Sequence, residues 1–160
     1  MSELTPQELR NIYEAMVAQS GHPDPMGYMA RIMLTSGGDP DYIDADGRIG
    51  LMPVKPDIAA QTVGSNDVSS LEGNVMTTLA MDIMFFEQFK NIDAMINVFH
   101  SGGTEGDAAT KIILQSLDEA RMETNKLIFP RRATFDDVIQ YMQVSNDIDQ
   151  TTLEKFKSLL

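Results

Sequence analysis

The 160-residue chain predicts a mainly helical domain, a small helical bundle interrupted by one Gly/Asp-rich loop or small β-hairpin at about residues 38 to 52. Two observations carry this. Apolar residues recur at helical spacing on both sides of the run 34–56. That run has little periodicity of its own and is punctuated by Gly37, Gly38, Gly47 and Gly50, by Asp39, Asp41, Asp44 and Asp46, and by Pro40, Pro53 and Pro56. A third observation sets the scale: 42% apolar and 22% charged residues suit one self-sufficient core.

The first helix is expected at about 6–19. Thr5, Pro6 and Glu8 form a capping box with proline at the first helical position, Leu9, Ile12, Tyr13, Met16 and Val17 share a stripe, and Gly21 closes the end. Asp24 and Pro25 open a second helix through Met26, Met29, Ile32 and Met33, which delivers Thr35 at its C-terminal end. Tyr42, Ile43, Ile49, Leu51, Met52 and Val54 give the following loop enough apolar surface to be buried, and ordered loops of this length are usually functional. A short helix follows Pro56, then a polar segment at 64–70.

The stretch 71–89 carries the strongest helical stripe, through Val75, Leu79, Ile83 and Phe86 with Met76, Ala80 and Met84, as expected of a central buried helix. Met29, Met33, Met76 and Met84 read as core filling, as do Tyr13, Phe85 and Phe86. A helix through 94–102 comes next. Thr134 and Asp137 suggest a short helix to about Val144, and Thr151 with Glu154 a last one to Leu160. The chain is thus divided at 1–129 and 130–160, the second part a helical extension.

Charge and residue usage exclude several functions. Twenty-four acidic against twelve basic residues give a formal charge of −12 and a pI near 4.4, which disfavours nucleic acid. There is no cysteine and there are two histidines, so no metal or cofactor site is expected; His22, beside Pro23, reads as a turn residue. Asp44-Ala45-Asp46-Gly47 is not an EF-hand, because Tyr42 and Pro53 fill the positions that require acidic ligands. No run approaches a membrane span. The first residues lack a signal peptide's basic start and apolar run, so synthesis in the cytoplasm is expected.

The order of motifs resembles the soluble lytic transglycosylases, a branch of the lysozyme-like α+β fold. Ser36 and Gly37 match that family's Glu-Ser-Gly after its first residue, and Asp39-Pro40 stands for Asn-Pro. Gly47, Gly50, Leu51, Met52 and Pro56 keep their places in a Gly-x-x-Gly-Leu-Met-Gln-x-x-Pro pattern. Asn74-Val75 corresponds to Asn-Ile, Phe99-His100 to the Tyr-Asn of Ala-Tyr-Asn-Ala-Gly, and Glu123-Thr124 to a later Glu-Thr. The resemblance covers about residues 25 to 129. It implies a cleft beside the loop, with Ser36, Gly50, Leu51, Met52, Pro53, Phe99 and His100 as groove candidates.

Two positions depart from the family. Thr35 stands where it has the catalytic glutamate, and Pro53 where it has the glutamine. That glutamate protonates the glycosidic oxygen and then takes the proton of the sugar's 6-hydroxyl, which needs a pKa near the working pH; a threonine hydroxyl cannot reach it. The resemblance therefore implies a catalytically degenerate protein serving as a structural or interaction component, with peptidoglycan strands as a residual ligand. A cell-wall scaffold without an export signal further suggests a phage virion component, a tail or internal protein delivered to the host envelope with other virion proteins as partners. The alternative is an active muramidase or transglycosylase using another acid, with Asp39, Asp41, Glu72 and Glu105 as candidates. His100 reads as a structural or helix-capping residue, or as a groove or pH-sensitive group.

Overall fold

A computed structural model describes residues 3–65 and 67–130, together with Thr151, Glu154, Lys155 and Ser158. The chain divides into two compact units, Met1–Ile128 and Phe129–Leu160. The first is helical: α1 (Pro6–Ile12), continued by a π-helical turn (Tyr13–Val17), α2 (Pro25–Thr35), α3 (Pro56–Val63), α4 (Leu71–Phe89), α5 (Ile92–Ser101) and α6 (Ala108–Ile128). In the second, the four described tail residues Thr151, Glu154, Lys155 and Ser158 are helical. The other residues of the helix expected to reach Leu160, and all those of the one expected at 134–144, lie outside the described residues.

Side chains that accept from exposed backbone N–H groups set the helix starts. Thr5 Oγ1 accepts from Glu8 N while Glu8 Oε1 accepts from Thr5 N, each at 3.1 Å. Asp24, Ser70, Asn91 and Asp107 do the same for α2, α4, α5 and α6. Gly27 is required in the first turn of α2, since a Cβ there would run into the Asp24 carboxylate. The first helix is not a uniform α-helix over 6–19; its second half widens, with Ala18 N donating to Tyr13 O at 2.8 Å, before Gly21 turns the chain at φ +81.

α2 lies at the centre, its residues 27–32 all buried, with α6 packed along it. α4 packs on α5 and α3 and covers one side. α4 shares the core with α2, and its buried line is half polar: Asn74, Thr77, Thr78 and Asp82 are enclosed beside Val75, Leu79, Met81 and Phe85. Ile83, Met84 and Phe86 are half-buried. Met76 is 58% exposed rather than core, because it lies about half a turn round the helix from Asn74 and Thr78. Among the described residues no helix is long and apolar enough to cross a membrane.

The loop between α2 and α3 is ordered but forms no strand. Ile49 makes two isolated antiparallel bridges, to Ile43 and to Val54, with Ile49 N to Val54 O at 2.9 Å and Val54 N to Ile49 O at 3.1 Å. Gly47 and Gly50 at φ +87 and +96, with Pro53, turn the backbone before a second rung can form.

Candidate functional site

Three segments of the chain meet at one buried knot. From the C-terminal end of α2, Ser36 Oγ donates to Leu51 O at 2.5 Å and accepts from Gly38 N at 3.2 Å. From α4, the Asn74 side chain accepts from Met52 N at 2.9 Å and donates to Ile49 O, Met52 O and Val68 O at 3.1 to 3.3 Å. Leu51, Met52 and Asn74 are fully enclosed, and Gly50 fits only because it lacks a Cβ. The loop is therefore fixed by side chains that satisfy its backbone groups, in place of sheet pairing.

This knot supports one wall of a cleft of about 340 Å3 between the loop, the ends of α2 and α5, and the start of α6. Leu34, Tyr42, Pro53, Ala109, Ile112 and Ile113 supply its apolar surface; Thr35, Asp44, Asp46, Arg48, His100, Asp107 and Thr110 supply its polar surface. Of the sequence-derived groove candidates, Pro53 and His100 face the cleft, as does Thr35. Ser36, Gly50, Leu51, Met52 and Phe99 do not line it; they form buried structure behind, because their contacts go to backbone and core.

The alternative acids do not converge there. Asp39 Oδ1 caps a turn by accepting from Asp41 N at 2.9 Å, Asp41 is exposed, Glu105 is exposed, and Glu72 lines a separate hollow at the start of α4 with Asp67 and Ser70. The carboxylates that do line the cleft are Asp44, Asp46 and Asp107. Arg48 Nη1 bridges Asp44 at 3.3 Å and Asp46 at 3.0 Å, and its Nη2 donates to His100 O at 3.2 Å. Burial acts to raise the Asp44 carboxyl, but the backbone and side chain of Arg48 donate to it and hold it below its ordinary value. Asp107 is held low chiefly because Thr110 N donates to it at 2.8 Å. Thr35 Oγ1 spends its proton on Arg31 O, at 2.7 Å.

Behind the cleft lies a second polar system. Arg31 donates to both oxygens of Asp82, Nη1 to Oδ2 at 2.6 Å and Nη2 to Oδ1 at 3.0 Å, and its Nε donates to His100 Nε2 at 3.0 Å. The guanidinium carbon sits 5.1 Å from the centre of the Phe99 ring. Asp82 Oδ2 also accepts from His22 Nε2 at 2.7 Å; His22 Nδ1 accepts from Asp24 N at 2.9 Å, so the ring proton sits on Nε2. His22 sits in the turn between the π-helical segment and α2, as expected, but its side chain belongs to the core, 6% exposed and bound across 60 positions of sequence. Despite its burial Asp82 is held below the ordinary carboxylate range by Arg31 and His22. Burial first, then Arg31, push His100 well below the ordinary histidine value, so it is neutral and its Nε2 is an acceptor.

The sequence reading did not single out Arg31, Arg48, Asp82 or Asp107. A signal existed for two of them: Arg31 and Asp82 are single charges of opposite sign, each set inside an apolar helical run, 29–33 and 79–84. Comparison with known proteins adds no relative: no protein-family model, curated protein or solved structure matches the chain.

Proposed function

We propose that the domain keeps a lysozyme-like, transglycosylase-type scaffold without its acid chemistry and serves as a structural or interaction component, with the cleft as a residual glycan-binding surface. The observation that carries this reading is the state of the cleft's polar groups. A general acid for glycoside cleavage needs a carboxyl kept protonated near neutral pH. Asp44 and Asp107 are instead held below their ordinary values, Asp46 is engaged by Arg48, Thr35 is bonded to its own helix, and Pro53 offers neither a side-chain amide nor an N–H.

The scaffold part of the reading is supported by where the motif residues meet. Ser36, Gly50, Leu51, Met52 and Asn74, distant in sequence, form one hydrogen-bonded knot, and His100 lines the cleft beside it. The setting we propose is a phage particle, in which a chain of net charge −12 is complementary to basic neighbours.

Mass spectrometry of peptidoglycan after incubation with the protein tests the proposal. No 1,6-anhydromuropeptides and no new reducing ends are expected above a buffer control, while sedimentation with insoluble peptidoglycan reads any retained binding. Appearance of cleaved products would overturn the reading and direct mutagenesis to Asp44, Asp46 and Asp107. Thr35→Glu returns a carboxyl to the cleft wall, and cleavage gained by that variant alone would show that only the acid had been lost.

A further inference from the structure

His100 joins the two polar systems. Its ring nitrogen accepts from buried Arg31, its backbone carbonyl accepts from Arg48 of the cleft loop, and it lines the cleft, whereas Arg31, Asp82 and His22 do not. We propose that His100 is an acid-operated latch: a proton taken from solvent onto Nε2 turns its hydrogen bond with Arg31 into a donor facing a donor, expels the ring toward the cleft and releases the loop at 44–48. This inference stands apart from the proposed loss of catalysis.

The geometry decides which partner moves. Arg31 is held by two bonds to Asp82 and lies over Phe99, with its side chain 1% exposed, so it has no other place to go. His100, by contrast, lines the cleft. Its final helical turn carries the carbonyl that Arg48 grips, so displacement of the ring pulls on the strap between α5 and the loop.

The charges facing His100 come from four elements. Arg31 on α2 and Arg48 on the loop oppose a second proton, while Asp82 on α4 and Asp107 before α6 favour it. Burial adds to the opposition and the neutral ring prevails. The open form, with the ring in water, titrates near the ordinary value of 6.5, so acid draws the population toward it. Asp44, Asp82 and Asp107 are all held below 3.8, so the surrounding carboxylates stay charged while this happens.

Hydrogen exchange of the full chain between pH 7.5 and 4.5, corrected for intrinsic rates, reads the latch. Amides at 44–50 are expected to exchange about tenfold faster for each pH unit below 6.5, the limit for uptake of one proton by the open form, while amides at 28–32 of α2, which need the whole domain to open, stay slower than the loop throughout. His100→Gln supplies an oxygen for Arg31 Nε and cannot take the proton; its loop is expected to exchange at the same corrected rate across the range. Loop amides that exchange no faster than those of α2 once corrected, or a wild-type response in His100→Gln, would overturn the proposal. If that variant does not fold, imidazole 15N spectra of the wild type decide: His100 must become protonated over the interval in which the loop opens, and a ring that stays neutral while it opens also defeats the latch.

Discussion

Arg31 and Asp82, 51 positions apart, meet through two parallel hydrogen bonds of 2.6 and 3.0 Å with side chains 1% and 0% exposed. A pair so enclosed stabilises chiefly by not being broken, because either charge left alone in the core faces the full loss of hydration. Asp82→Asn is therefore expected to destabilise the domain by about 3 to 5 kcal/mol in urea denaturation. The double replacement Arg31→Met with Asp82→Leu removes both charges and is expected to lose less than Asp82→Asn alone; a larger loss would show that the pair is worth more than its desolvation.

Asn74 makes a second test of buried hydrogen bonding. Its amide nitrogen donates to three carbonyls and its oxygen accepts one N–H. Asn74→Asp keeps the volume and the acceptor but removes both donors and sets a carboxylate among carbonyl oxygens. We expect a loss of about 2 kcal/mol or more, at least equal to that of Asn74→Ala, since leaving buried acceptors unmade costs about 1 to 3 kcal/mol. Thermal unfolding of the two variants side by side checks the order.

Gly47 and Gly50 of the cleft loop separate strain from space. Both have positive φ, but a Cβ on Gly47 meets nothing within 4 Å, whereas one on Gly50 would collide with the Asn74 amide and come within 2.8 Å of Val68 O. Gly47→Ala should lose about 1 kcal/mol through backbone conformation alone. Gly50→Ala should lose clearly more and loosen the loop, seen as faster exchange of the Met52 amide. Equal losses would mean that the knot yields readily.

Acid stability should fall in two stages. A histidine whose folded form resists protonation stabilises the fold in full above its ordinary value of 6.5, and that contribution is lost as pH falls below it; this is His100. A carboxyl lowered by folding stabilises above its ordinary value of 3.8 and is lost as pH falls through its folded value; this is Asp82. Urea midpoints measured from pH 7.5 to 3 are expected to decline below 6.5 and again, more steeply, below 3.8. His100→Gln should remove the first decline and keep the second.

Much of the architecture is local and was legible in the sequence. Thr5 and Asp24 mark helix starts because a capping side chain reaches only two or three residues, and the 71–89 helix follows from its periodicity. The glycines and prolines of 34–56 forecast an ordered turn-rich loop for the same reason. Cleft membership was legible for Thr35, Pro53 and His100, and not for Arg48 or Asp107, whose roles depend on which way a turn points its side chains.

The sequence by itself determined where α1, α2 and α4 begin, and that the position held by Thr35 carries no titratable acid. Only the tertiary structure decided that His22, Arg31, Asp82 and His100 share one buried network and that Met76 is outside it. The physical reason is range: apolar periodicity reports which side of a helix is turned inward, but a polar residue is stable there only if a partner from another helix completes its hydrogen bonds, and that partner is chosen by packing.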